Sequence, residues 1–242
     1  VVGTWINVVG IVLGSICGLL WKNPISTANQ LLVKVVLGAL LALCGLHLTW
    51  MGLSESGSFL HGLKQLLITI VSLTIGKLIG KLLHLQKGSN WLGQFARKKM
   101  TETKPDHPNQ FSDGFIVCAL LFCAAPLSVV GAIAEGLDHY FFPLALKGVM
   151  DGLGAMSFVI MFGAGVALSS VPVMMFQGII TLATARYLLP LLEQHALLPS
   201  VNVTAGLLIF CVSVIVFEIK KVEITDYLPS LAVAPFLTYW LR

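Results

Sequence analysis

Hydrophobic positions in this chain fall into long uninterrupted runs and do not alternate with polar ones. Residues 3–21, 30–53 and 63–85 are the first three runs, and 113–137, 144–170, 172–192 and 202–217 follow. About twenty helical residues cross a hydrocarbon core of roughly 30 Å, so each run predicts a membrane-crossing helix. A last apolar run, 227–241, is short and carries Pro229 and Pro235. Polar breaks stand at Lys22-Asn23-Pro24, at Ser54-Glu55-Ser56-Gly57 and across 86–112, where Pro105 and Pro108 oppose regular structure. Between Gly152 and Ala185 no residue is charged, a stretch too long for one crossing; Gly163, Gly165 and Pro172 supply the break. Trp5 and Trp21 bracket the first run about 24 Å apart, as interfacial aromatics would. That run does not read as a signal peptide, having neither a charged leader nor a small-residue cleavage site.

The pattern predicts an all-α polytopic membrane protein of seven to eight transmembrane helices. Residues 1–85 would form a three-helix unit, 86–112 a cytosolic loop, 113–194 a second three-helix unit and 195–242 a C-terminal helical pair. Composition agrees: 57% of the 242 residues are hydrophobic and 11% charged, against about a quarter charged in soluble domains. This excludes a soluble enzyme, a secreted disulfide scaffold and a disordered chain. Seven of the 15 basic residues lie between Lys77 and Lys104, which the positive-inside rule explains better than nucleic-acid binding does. Placing that loop in the cytosol puts Lys22, Lys34, Lys220 and Lys221 on the same side and the N-terminus outside. Eight crossings also place the C-terminus outside, and Arg186 and Arg242 fit that scheme poorly. The two triplets share a glycine-interrupted layout, which points to an inverted three-plus-three repeat of the kind secondary transporters use.

Ionisable residues inside the runs are the leading candidates for function, because each costs about 2.5–3.5 kcal/mol at a helix centre on insertion scales. Lys147 and Asp151 are four apart and can pair on one helix face. Glu135 closes the fourth run after Pro126, whose ring frees the Phe122 carbonyl for an ion or a water. Asn7, Ser128, Ser157, Gln177, Thr181 and Thr184 could line a path, the last three on one face. Arg186 lies near that face, within reach of Asp151 or Glu135 if it does not snorkel to the interface. The glycine series Gly10/Gly14/Gly18, with Gly76/Gly80 and Gly148/Gly152, has the spacing that lets helix backbones approach closely. His47 reads as a packed neutral histidine, and Asn202 as a helix cap. The five cysteines form no CxxC and read as small buried hydrophobes, and no histidine pair suggests a metal. No nucleophile–base constellation or phosphate-binding loop is present, so no enzyme, metal or cofactor is expected.

The opening Gly3-Thr4-Trp5-Ile6-Asn7 with its glycine series resembles the bacterial YqgA/YdfK-type inner-membrane family. So do Gln86-Lys87-Gly88-Ser89-Asn90, Leu121-Phe122-Cys123-Ala124, Gly131-Ala132-Ile133-Ala134-Glu135-Gly136, Lys147 with Asp151, and Tyr227-Leu228-Pro229-Ser230-Leu231. Where that family often has small polar residues, this chain has Ala125-Pro126-Leu127. The resemblance implies a bacterial inner-membrane location and a domain of unknown function described as a possible sodium channel or pump. Two functions are therefore expected to compete. One is transport of a small cation or solute through Asp151, Lys147 and Glu135. The other is a non-catalytic subunit or scaffold that packs in a homo-oligomer or a larger membrane complex.

Overall fold

The computed structural model describes residues 1–21, 26–55, 59–102 and 109–241, and every regular element among them is helical. The helices are α1 (Val2–Leu20), α2 (Thr27–Ser54), α3 (Phe59–Leu82), α4 (Leu85–Glu102), α5 (Gln110–Ala124), α6 (Pro126–Asp138) and α7 (Phe142–Phe162). Then come α8 (Gly165–Leu168), α9 (Ser170–Ala183), a π-helical turn Thr184–Leu188, α10 (Leu189–Gln194), α11 (Leu198–Val216), α12 (Ile224–Tyr227) and α13 (Ser230–Trp240). Among the described residues, six helical stretches are long and apolar enough to cross a bilayer: α1, α2, α3, α7, the run Gly165–Gln194, and α11. The pair α5–α6, bent by 57°, makes a seventh. The protein is thus a polytopic helical membrane protein.

Three helix pairings, each set by glycines against glycine or another small residue, organise the bundle. Along α1 and α7, Gly3 meets Leu144, Gly10 meets Gly148, Gly14 meets Gly152 and Gly18 meets Met156, so the two run parallel. A Cβ on Gly148 would come 2.9 Å from the Cα of Asn7, and one on Gly152 would come 2.6 Å from the Gly10 carbonyl oxygen. Only glycine permits such approach, and the gain is the dispersion contact of two bare backbones. Helix α2 lies antiparallel to α11, with Gly38 against Phe217, Gly45 against Gly206 and Phe210, and Gly52 against Pro199. Helix α3 meets the C-terminal segment the same way, Gly80 at Asp226 and Gly76 at Ser230. The Lys64 ammonium donates to the Leu241 carbonyl (2.8 Å). The short last run therefore follows α3 for most of its length.

Two expectations need correction. The segment 86–112 was expected to be an irregular connection, yet its first part is the 18-residue helix α4. Pro105 and Pro108, which suggested irregularity, follow the helix and lie outside the described residues, as do Lys22, Lys104 and Arg242. Amphipathic patterning won over polarity: Ala96 is buried and Met100 packs beside it against α5 and α7. Lys99 pairs with Asp113 of α5 (3.1 Å), while the Gln86 amide donates to Asp226 of α12 (2.8 Å). The second correction concerns Pro126. It opens α6, with Ala125 extended (ψ 129°) ahead of it, as a residue preceding proline prefers. The carbonyl expected to be free, that of Phe122, accepts the Ser128 hydroxyl at 2.6 Å.

The break between α7 and α8 falls at Gly163, whose φ of 69° belongs to the left-handed region. Gly165 follows against the Phe111 carbonyl, where a Cβ would collide. Pro172 sits in the first turn of α9, where its missing donor is tolerated.

Replacing Gly14 by leucine is expected to destabilise the protein by about 3 kcal/mol or more, because the opposing Gly152 backbone cannot yield as a side chain would. Gly88, with no neighbour within 4 Å of a new Cβ, should accept alanine and gain about 0.5–1 kcal/mol of helix propensity. Thermal melting in detergent, read by size-exclusion profile, distinguishes the two.

Candidate polar site in the α1–α6–α7–α9 bundle

The close approach of α1 and α7 puts Asn7 beside the one-turn segment that carries Lys147 and Asp151. Lys147 is 2% exposed, and its ammonium pairs with the Asp151 carboxylate inside the same helix. Asn7 lies close enough to Asp151 to interact with its carboxylate, and the face of the Phe122 ring lies 5.9 Å from the ammonium. At 1.5 Å per residue, Asp151 sits about 14 Å into α7, close to the helix midpoint.

Hydrogen bonds extend this pair toward one end of the bundle in two rungs. In the first, the Asn7 amide donates to Gln177 Oε1 (3.2 Å), and Gln177 Nε2 donates to the Ser128 hydroxyl (3.5 Å). One helical turn along α1 and α9, Thr4 and Thr181 form the second rung. Their hydroxyls donate to Glu135 Oε2 at 3.4 and 3.5 Å, while the Gly3 amide donates to Oε1 at 2.6 Å. Gln177 and Thr181 of α9 and Thr184 at the start of the π-helical turn share one buried face, and Gly136 lets that face close on α6. Asn7 Oδ1 is buried with no hydrogen-bond partner, and such an orphaned acceptor calls for an explanation.

Toward the other end the same bundle is apolar. Ile11, Val117, Phe122, Ala155, Val159 and Phe162 form a buried cluster. The linked polar groups thus occupy one half of the bundle, and a mainly apolar cluster fills the other. Among the described residues, Asn7, Gln177, Glu135, Lys147 and Asp151 stand apart from five cavities of about 300–550 Å³ that open elsewhere on the molecule. Near the polar end lies an outer group of acids. Asp138 accepts a hydrogen bond from Asn202, Glu193 lies close enough to Asp138 to interact electrostatically, and burial together with Asp138 pushes the Glu55 carboxyl above its ordinary value.

Seven of the ten path residues expected from sequence, Asn7, Ser128, Glu135, Lys147, Asp151, Gln177 and Thr181, therefore converge, and Thr184 is buried on the same face. Arg186 does not: it is exposed on the π-helical turn, pointing away from the buried face. Ser157 is exposed too, bonded only to its own helix at Leu153. Asn202 is buried in the second turn of α11 against Asp138, so it does not cap the helix. His47 is exposed and stacks on Tyr140 (5.7 Å), and Cys17 is exposed where a buried cysteine was expected. Thr4 went unnoticed in sequence, although it shares the i, i+3 face of Asn7.

A polytopic helical membrane bundle with ionisable side chains buried near its centre is the class these observations define. The chain belongs to the family described as protein of unknown function DUF554, whose model matches residues 2–239. It is similar to the uncharacterized membrane protein YdfK of Bacillus subtilis (strain 168), 27% identical over 242 residues, covering 98% of this chain and 95% of that one. It is also similar to the uncharacterized protein YqgA of Escherichia coli (strain K12), 26% identical over 243 residues, covering 99% and 97%. No solved structure matches it.

Replacing Lys147 by methionine should cost about 3–5 kcal/mol, because Asp151 is then left buried without its counter-charge. The double variant Lys147→Met/Asp151→Leu should recover most of that loss. Melting temperatures of the purified single and double variants check this.

Proposed function

We propose that the α1–α6–α7–α9 bundle carries a small cation across the bilayer, in a conformation closed at both ends. The observation that supports this reading is the file of acceptors from Glu135 to Asp151. It comprises two carboxylates, the hydroxyls of Thr4 and Thr181, and the unpartnered Asn7 Oδ1. Helix packing alone does not require three ionisable side chains, and apolar residues of similar volume would cost less there. In this reading Lys147 is a tethered counter-cation: it holds Asp151 neutralised until an entering cation replaces it. The Phe122 ring offers the displaced ammonium a second partner. The outer acids Glu55, Asp138 and Glu193 would raise the local cation concentration at the mouth, and the apolar half would be the gate that opens last. By the lysine and arginine distribution the acidic mouth faces outward and the basic end faces the cytosol of a bacterial inner membrane.

A second reading draws on the sealing of the cluster. If Lys147 and Asp151 neutralise each other permanently, the protein is a scaffold whose glycine faces and exposed apolar helices pack within a larger assembly.

Proteoliposomes separate the two. Sodium is the first ion to test, since the family resemblance implies it, with potassium and proton flux measured in parallel. Transport predicts saturable uptake that Asp151→Asn and Glu135→Gln each reduce about tenfold or more, in line with the loss of a charged ligand. Flux equal to that of protein-free liposomes for all three ions would reject the carrier and leave the scaffold.

A further inference from the structure

Away from the buried cluster, a cavity of about 300 Å³ opens at the junction of α3, α4 and α12. It is lined by Lys81, His84, Gln86, Lys87, Asn90, Glu223 and Asp226. Two lysines thus face two carboxylates in one small space. The walls are rigid on one side: Asp226 Oδ1 accepts the Gln86 amide (2.8 Å), the Thr225 amide donates to Gln86 Oε1 (3.2 Å), and Gln86 Nε2 donates to Asn90 (3.0 Å). His84 sits in the left-handed region (φ 55°), with Nδ1 2.8 Å from the Lys81 carbonyl oxygen. A carbonyl only accepts, so Nδ1 carries the proton and Nε2 of the neutral ring is a bare acceptor.

The location is a membrane interface. Trp91 is 62% exposed on α4 between Lys87 and Lys98, the arrangement of a helix that lies in the headgroup layer. Beside the cavity, Leu78, Leu82 and Leu83 are exposed at the end of α3, an apolar surface on which acyl chains can lie. A purely anionic ligand would face Glu223 and Asp226 unfavourably, and a simple cation would face the two lysines. A zwitterion with a phosphodiester and a primary ammonium satisfies both sets.

We propose that this cavity binds the phosphoethanolamine headgroup of a membrane phospholipid. The phosphate is held by Lys81 and Lys87, and the ammonium by Glu223 and His84 Nε2. Three ammonium hydrogens can be donated there, whereas a trimethylated choline has none to give. The lipid would then clamp α4 to the α3 end, independently of whether the central bundle transports anything.

The test is lipid retention by the intact protein, purified from nanodiscs of equimolar phosphatidylethanolamine, phosphatidylglycerol and phosphatidylcholine and counted by native mass spectrometry. Phosphatidylethanolamine is expected to exceed phosphatidylcholine about tenfold among retained lipids, the worth of one charge-assisted hydrogen bond. Glu223→Gln should erase the preference of phosphatidylethanolamine over phosphatidylglycerol. Lys81→Ala with Lys87→Ala should lower retention of both, with melting temperature showing each variant folded. Equal retention of phosphatidylethanolamine and phosphatidylcholine, or an unchanged preference in Glu223→Gln, overturns the proposal. Free phosphoethanolamine in micromolar amounts should fail to displace the lipid; displacement would overturn the lipid assignment in favour of a soluble ligand.

Discussion

The fold depends on how closely α1 and α7 can approach. Gly10 and Gly14 lie against the Gly148 and Gly152 backbone, and that contact fixes the register in which Asn7 meets Gly148. Asn7 then reaches both Asp151, one turn further along α7, and Gln177 of α9. Any side chain on the glycine stripe would separate the helices and with them the donors and acceptors of the first rung. The dispersion gained by bare backbones and the satisfaction of buried polar groups therefore come from the same contact. In lipid, where apolar residues gain little from leaving one hydrocarbon medium for another, such contacts are what hold helices together.

Around that contact the bundle divides along its length. From Glu135 to Asp151 the interior is hydroxyl, amide and carboxylate; from Ile11 to Phe162 it is mainly hydrocarbon, and the buried Ser15, Ser169 and Ser170 hydroxyls there bond back to nearby carbonyls of their own segment. A cation could be stabilised in the first half by oxygen ligands but would be stripped of them in the second. The bend at Ala125-Pro126 and the break at Gly163 flank the apolar half on α5–α6 and α7. They are where backbone torsion could change with the least loss of hydrogen bonds.

The amphipathic α4 joins the two parts of the molecule that lie at the basic end. Its Lys99 ties it to α5 of the central bundle, and its Gln86 ties it to α12 beside α3. A tilt of α4 would therefore be felt at both, which gives the lipid-facing surface a mechanical route to the bundle.

Much of this was legible before any coordinates. Run lengths and the scarcity of charge determined the helical membrane class, the glycine spacing marked the close helix faces, and the insertion cost of Lys147, Asp151 and Glu135 singled them out. The i, i+4 spacing alone paired Lys147 with Asp151, because both lie on one helix. Which helices meet could not be read from spacing: Asn7 and Gln177 are 170 positions apart, and many apolar stripes could have brought them together or kept them apart. Polarity also misled at α4, since a helix that covers one face of a bundle needs only a few apolar residues, and at Phe122, whose carbonyl was met by Ser128 six residues away. The sequence by itself determined what must be buried and roughly how deep, because the transfer cost belongs to each residue alone. Only the tertiary structure decided which groups neutralise one another and which half of the bundle is dry, because a pairing energy belongs to two residues and exists only once packing has placed them.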